Sequence, residues 1–204
     1  MADVLWDKAK TLILPFVKDC PWDMAEQTLL LSAREYYRET LTWGMWIDDV
    51  FTIANLSDYL VYAGKNVDVV RVLEGSVGTT NYEGANERDF GALSGSSRGN
   101  HMAWYDDAIH VYPTPLVDET PIRVFLAVQP SLASTGLPKD QWTKNIDFLA
   151  IGALSKLYLT PDRPYTDMAI GAEKKAEFNR HKARARSLVS KGGFAKMRVR
   201  AHYI

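Results

Sequence analysis

Ile122-Arg123-Val124-Phe125-Leu126-Ala127-Val128-Gln129 is followed, after a short linker, by Gln141-Trp142-Thr143-Lys144-Asn145-Ile146-Asp147-Phe148-Leu149-Ala150. The first stretch alternates. Ile122, Val124, Leu126 and Val128 fall on one side, and Arg123, Phe125, Ala127 and Gln129 on the other. Successive side chains of a strand point to opposite faces, so this is a strand with one face more apolar than its reverse. The second stretch opens a helix over residues 141–159. Trp142, Ile146, Leu149, Ala150, Ala153, Leu154, Leu157 and Tyr158 recur at three-to-four spacing and make a wide core-facing stripe, with Asp140 as its expected cap. The hydrophobic period therefore changes from two to 3.6 across the linker.

Upstream, residues 47–129 keep the period of two. Val67, Val69 and Val72 mark one strand. Residues 101–105 and 108–112 flank Asp106-Asp107 and predict a tight hairpin. Residues 74–100 hold six of the thirteen glycines and are expected to be a flexible arm, ordered by contact with another chain. Ahead of the strands, Val4, Leu5, Lys8, Leu12 and Phe16 predict a helix over residues 4–17, kinked by Pro15. After the break Asp19-Cys20-Pro21, a second helix is predicted over residues 23–41, capped by Asp23. Its inner side is Ala25, Leu29, Ala33, Tyr36 and Thr40, and Arg34, Glu35, Arg38 and Glu39 face solvent. A fourth helix over residues 166–190 has Thr166 as its cap and a small inner side of Ala169, Ala172, Ala176 and Ala183. Gly192-Gly193 stops it. The expected fold class is α+β in one domain, 1–204. A bundle of about four helices (1–45 and 138–190) carries a β-rich insertion (60–130) and an extended C-terminal tail (191–204).

Charge divides this chain. Residues 173–204 carry ten Lys and Arg against two Asp and Glu, about +8, so the remainder is about −9 under a total of −1. A basic tail on an acidic body seeks phosphate or an acidic protein surface, including the body of a neighbouring copy. Lys182, Arg184 and Arg186 cover the last half of the fourth helix and are candidates for facing another subunit or DNA. Within the tail, Phe194, Met197, Val199, Tyr203 and Ile204 interleave with Lys196, Arg198 and Arg200, which suits docking onto protein, as a strand or as an irregular segment. The single Cys20 excludes an intrachain disulfide and fits a reducing compartment. No apolar run approaches the ~20 residues of a membrane span, and the N-terminus lacks the apolar core of a signal peptide. A soluble protein made in the cytosol is expected.

Catalytic motifs are weak. Gly95-Ser96-Ser97-Arg98-Gly99 spells the G-x-S-x-G string of serine hydrolases, but a polar glycine-rich stretch precedes it where a strand is needed. His101, His110, His181 and His202 lack metal-ligand spacing. Asp48-Asp49 and Asp106-Asp107 are sequence neighbours and form no dyad by spacing. Trp43 and Trp46 read as packing residues ahead of base-stacking ones. The sequence thus assigns no catalytic, cofactor-binding or metal-ligating residue.

Several local wordings resemble the head–tail adaptor (connector) proteins of tailed bacteriophages over nearly the whole chain. They are Ile13-Leu14-Pro15, then Cys20-Pro21 and a helix ending Leu41-Thr42-Trp43; His110-Val111-Tyr112-Pro113-Thr114-Pro115; and Arg123 through Ser131. The closest are Ile151-Gly152-Ala153-Leu154-Ser155-Lys156-Leu157-Tyr158 with Pro161-Asp162-Arg163-Pro164-Tyr165, before a helix ending Ala183-Arg184-Ala185-Arg186. The resemblance implies a non-enzymatic structural protein of the virion neck, made in the host cytoplasm. It would form a ring, typically of twelve copies, under the portal. Such a ring extends the channel through which double-stranded DNA slides and joins the portal to a downstream tail or nozzle protein, with no membrane and no cofactor involved. The tail, through Phe194, Lys196, Met197, Arg198, Val199, Arg200 and Tyr203, would then dock on the portal. The alternative expectation is a nucleic-acid-binding module whose basic C-terminal segment grips phosphates.

Overall fold

The structure, a computed structural model, describes residues 3–93 and 99–190. In chain order the elements are β1 (Asp3–Leu5), α1 (Lys10–Ile13), α2 (Trp22–Thr40), β2 (Gly44–Phe51), β3 (Asp58–Leu60), β4 (Val67–Val77), β5 (Thr80–Ala85), α3 (Glu87–Leu93), β6 (His101–Tyr105), β7 (Ala108–Tyr112), β8 (Pro121–Pro130), β9 (Gly136–Pro138), α4 (Lys139–Tyr158) and α5 (Met168–Ser190). They divide into a helical unit, residues 3–42 and 130–190, and a β unit, residues 43–129.

In the helical unit, α4 packs against α2 and α5. Leu149, Ala153 and Leu157 are fully buried, as the stripe predicts, while Trp142 is half-buried and meets the Trp6 ring at 6.1 Å. Ala25, Leu29, Ala33, Tyr36 and Thr40 of α2 are buried with Leu30 and Tyr37. Two glycines let the helices close up. A Cβ on Gly152 would lie 2.8 Å from the Phe178 ring, and one on Gly171 would lie 2.8 Å from Leu159. The buried side of α5 is Gly171, Phe178, Lys182 and Ala185. The predicted inner alanines Ala169, Ala172, Ala176 and Ala183 are exposed instead. The bulky Phe178 ring outweighs methyl groups in choosing which face is buried.

The expected fold class is corrected. The chain is mixed α/β, with a seven-stranded curled half-barrel sheet, and not a four-helix bundle with a β insertion. The predicted first helix over 4–17 is replaced by β1, a single α-helical turn and 3-10 turns at Trp6–Ala9 and Leu14–Phe16. Here long-range pairing beats local periodicity. Val4 lies opposite Leu137 in an antiparallel β1–β9 ladder, and the Trp6 indole N–H donates to the Ser134 carbonyl at 2.9 Å. Helix starts differ too. Pro21 and Pro138 stand at the N-caps of α2 and α4, where Asp23 and Asp140 were expected, and both lack a side-chain cap. Asp167, not Thr166, caps α5, accepting the Ala169 and Ile170 N–H groups at 3.0 Å.

The β unit runs in the order β2-β8-β4-β5-β6-β7-β3. Its two edges, β2 and β3, are consecutive in the chain and joined by residues 52–57 alone. Seven flat strands would span roughly 29 Å between outer axes, at about 4.8 Å per gap. The chain from Phe51 to Asp58 reaches at most ~25 Å when extended. It is not extended, because the Leu56 N–H turns back to the Ile53 carbonyl at 3.1 Å. The sheet must therefore curl. Val72, Met102, Ile109, Val111, Ile122, Val124, Leu126, Ala127 and Val128 are buried in its core.

The predicted hairpin is present. Asp106 (φ 48°) and Asp107 (φ 56°) form a two-residue turn with both residues left-handed, the twist that matches flanking strands. Residues 74–100 are corrected where described. Glu74 to Ala85 form a second hairpin, with Val77 opposite Thr80, and α3 makes the crossover into the parallel β5–β6 pair. Their glycines serve close approach, since a Cβ on Gly84 would sit 2.3 Å from the Val72 carbonyl oxygen. Phe90 of α3 packs on Ala85 and Ala103, with Tyr105 and Tyr112 beside them.

Two substitutions test the helical packing. Leu149→Ala is expected to cost about 2–5 kcal/mol of stability, read from urea midpoints. Gly152→Val is expected to cost about 1–3 kcal/mol by displacing the Phe178 ring, and Phe178→Leu should relieve part of that loss.

Candidate interaction surface

The basic residues singled out on the last helix have unequal fates. Lys182 is buried, and its ammonium donates to Glu35 and, at 3.2 Å, to Glu39, both on α2. It also lies 4.9 Å from the centre of the Phe178 ring. Lys156 of α4 reaches the other Glu35 oxygen at 2.9 Å. Arg186 pairs with the Glu39 carboxylate and donates to the Glu39 carbonyl at 2.9 Å. Glu35 and Glu39, expected to face solvent, instead tie α2 to α4 and α5. The charges of Lys182 and Arg186 are paired within the chain, Lys182 buried and Arg186 at the surface, while Arg184 stands exposed beside them. Burial pushes the Glu35 carboxyl up, but the hydrogen bonds from Lys182 and Lys156 outweigh it and hold the group below the usual carboxylate range.

Beneath this cluster lies a neutral network. Asn145 donates to the Tyr37 hydroxyl at 3.1 Å and to the Gln141 carbonyl at 3.2 Å. Burial drives the Tyr37 hydroxyl far above its ordinary pKa, so it stays a phenol.

The β unit exposes what the helical unit hides. Segments 52–57 and 115–120 lie side by side because the curl brings them together. Thr52 and Thr120 join through N–H to carbonyl at 2.9 Å, Thr52 Oγ1 donates to the Val117 carbonyl at 2.6 Å, and the Asn55 N–H reaches Pro115 at 2.8 Å. The Ala54 N–H donates to the Asp118 carboxylate at 2.6 Å. These bonds hold five apolar side chains toward solvent: Phe51 (57 % exposed), Ile53 (58 %), Leu56 (37 %), Leu116 (79 %) and Val117 (66 %). The exposed fractions add up to about three whole side chains. Exposed apolar patches of a few hundred Å² are the largest that ordinary monomers carry. Asp48, Asp49, Asp58, Asp118 and Glu119 are exposed on the same two stretches of chain, and residues 40–64 and 106–122 contain no Lys or Arg. Asp48 and Asp49 sit in a bulge between Ile47 and Val50 of β2.

Elsewhere, Arg71, Asn86, Glu87, Arg88, Asp89 and Trp104 line a cleft of about 530 Å³. Arg71 donates to Asn86 at 3.3 Å, and its buried Nε lacks a partner among the described residues. The acids and bases of this cleft balance. His110 is buried, with Nδ1 2.6 Å from Asp58 and its ring stacked on Tyr105. Trp43 is buried, and Trp46 stacks 5.0 Å from Phe125, so both pack within the β unit. Among the described residues, no three His, Cys, Asp or Glu could hold a metal ion, and no helix is long and apolar enough to cross a membrane. The tail candidates Phe194, Lys196, Met197, Arg198, Val199, Arg200 and Tyr203 lie outside the described residues, as does most of the Gly95–Gly99 string. Sequence reasoning missed the rim. Its signal was the uninterrupted lack of cations over residues 40–64. Neither protein-family models nor curated proteins give any match to this chain.

The Glu35 cluster makes a pH prediction. Its folded pKa is depressed, so the stability it supplies is fully present above about pH 4.3, the unfolded value, and is lost as pH falls through the folded pKa. Glu35→Gln is expected to cost about 1.5–3 kcal/mol at neutral pH. The gap between variant and wild type should shrink as pH drops below 4, as followed by urea unfolding. A gap independent of pH would refute the assignment.

Proposed function

We propose that this protein is a virion structural protein, a head–tail adaptor that forms a ring under the portal and joins the capsid to the tail. The reading rests on the local wordings quoted above, and one structural observation supports it: the apolar rim at Phe51, Ile53, Leu56, Leu116 and Val117. A patch of that size is a surface for protein association. A ring closes when one heterologous contact repeats by rotation, which needs one exposed patch and one complementary element per copy. Carboxylates along the rim repel phosphates, so DNA would slide past such a subunit rather than be gripped. This favours the adaptor over the nucleic-acid-binding alternative, as do the internally paired Lys182 and Arg186.

Negative-stain imaging of the purified chain, alone and mixed with a portal ring, tests the proposal. Rings of about twelve subunits, capping the portal and open along the axis, are the expected outcome. A chain that stays monomeric and leaves portals undecorated, or one that coats naked DNA at physiological salt, would overturn it.

A further inference from the structure

We propose that the acidic apolar rim of the β unit is the dock for residues 191–204 of a second copy of this chain. The rim has two properties that together narrow its partner. It offers Phe51, Ile53, Leu56, Leu116 and Val117 to solvent, and the chain that carries them bears Asp48, Asp49, Asp58, Asp118 and Glu119 with no cation between. An apolar partner alone would desolvate Asp48, Asp49 and Glu119 without a counter-charge, which is costly. A basic partner alone would leave the apolar side chains wet. The ligand must carry both kinds of group, closely interleaved.

Residues 191–204 have that composition. They contain Lys191, Lys196, Arg198 and Arg200, no Asp or Glu, and Phe194, Met197, Val199, Tyr203 and Ile204. Four cations meet Asp48, Asp49 and Glu119, since Asp58 and Asp118 are already bonded to His110 and to the Ala54 N–H, and five apolar side chains meet five. The six cations of α5 do not match it as well: Lys174, Lys182 and Arg186 are already paired, and Lys175, Arg180 and Arg184 are flanked in the sequence by polar residues and alanines with no large apolar side chain beside them. Five side chains, exposing about three whole side chains between them, make a smaller contact than the ~800 Å² that one partner contributes to a standard interface. One such contact is therefore of moderate affinity and gains from repetition around a ring. Each copy gives one tail and takes one tail, which is a heterologous contact. The dock needs only this chain, and it gives the tail a different partner from the portal that the resemblance implies. It deepens the ring reading given above but is tested separately from it.

Two variants make the test. One lacks residues 191–204. The other keeps them and carries Asp48→Lys, Asp49→Lys and Glu119→Lys, none of which accepts a hydrogen bond on which the loop pairing depends. Each alone is expected to sediment as a monomer, the full chain to associate, and an equimolar mixture of the two variants to give a one-to-one heterodimer and nothing larger. A fluorescent peptide of residues 191–204 should bind the tail-less protein saturably. Its affinity should fall between about 50 mM and about 500 mM salt as screening shortens, and by at least about tenfold on tail-less protein carrying the three reversals. If the reversed protein does not fold, Leu116→Ser with Val117→Ser replaces it, with the same tenfold expectation. Equal binding of a scrambled peptide of the same composition would overturn the proposal. So would self-association that survives loss of the tail, or peptide binding without heterodimer formation, which would place the tail on its own copy. Failure of the portal experiment with success here would sink the adaptor reading and leave the dock standing.

Discussion

Residues 52–57 join the two edge strands of a seven-stranded sheet, and a linker that short cannot cross the width of a flat one. The sheet therefore curls, and much of the β unit follows. The concave side closes over Met102, Ile109, Val111, Ile122 and Val124 and gains a core that a flat sheet would need a second layer to provide. The bulge at Asp48-Asp49 adds one residue to β2 and bends it in step with the curl. Segments 52–57 and 115–120 are brought side by side and hydrogen-bonded, with Thr52 at the centre. Their backbone groups are satisfied, so the loops are built, and their apolar side chains have only the outside left to occupy.

The helical unit solves a different problem. Its helices meet at an ammonium group. Burying Lys182 is costly unless carboxylates surround it, and Glu35 and Glu39 both do so from one face of α2. An apolar residue at this position would pack as well but would not fix the register of α5 along α2. The Phe178 ring beneath it enters only because Gly152 has no Cβ. One turn of α5 thus combines an ionic constraint and a steric one. The exposed side of α5 then mixes alanines, Arg180 and Arg184 with Met168 and Leu188.

The two units differ in how they use charge. The helical unit pairs Lys182 with Glu35 and Glu39 between its helices, and its exposed apolar side chains, such as Phe16, Leu132 and Leu188, lie on separate elements or loops. The β unit shows apolar side chains and carboxylates together, and of the carboxylates Asp58 and Asp118 find partners within it, in His110 and the Ala54 N–H. A monomer gains nothing from Phe51 or Leu116 in water. Retained on loops this well tied down, such side chains are understandable as half of a contact. The other half has to be basic and apolar at once, and the chain itself contains that combination after residue 190.

Much of the secondary structure could be read directly. The strands around residues 67–72, at 101–105, 108–112 and 122–129, and the helices near 23–41, 141–159 and 166–190 are local consequences of hydrophobic period, because a strand or helix hides one face whatever it packs on. The hairpin at Asp106-Asp107 was legible for the same reason, being a two-residue turn between alternating runs. The hairpin over residues 74–85 was not read, its glycines and polar residues suggesting an arm. Residues 4–17 were not, because the pairing of Val4 with Leu137 is made across more than a hundred residues and has no local trace. Nor was the choice of face on α5, where a single phenylalanine outweighed four alanines. The roles of Glu35, Glu39 and Lys182 were hidden too, since an ion pair between helices depends on how those helices meet. Sequence alone determined the charge division, the type of the long periodic elements and the composition of the last fourteen residues. Only the tertiary structure decided which charges are spent internally and which apolar residues are left outside, because burial and pairing are properties of neighbours in space and the curl of the sheet chooses those neighbours.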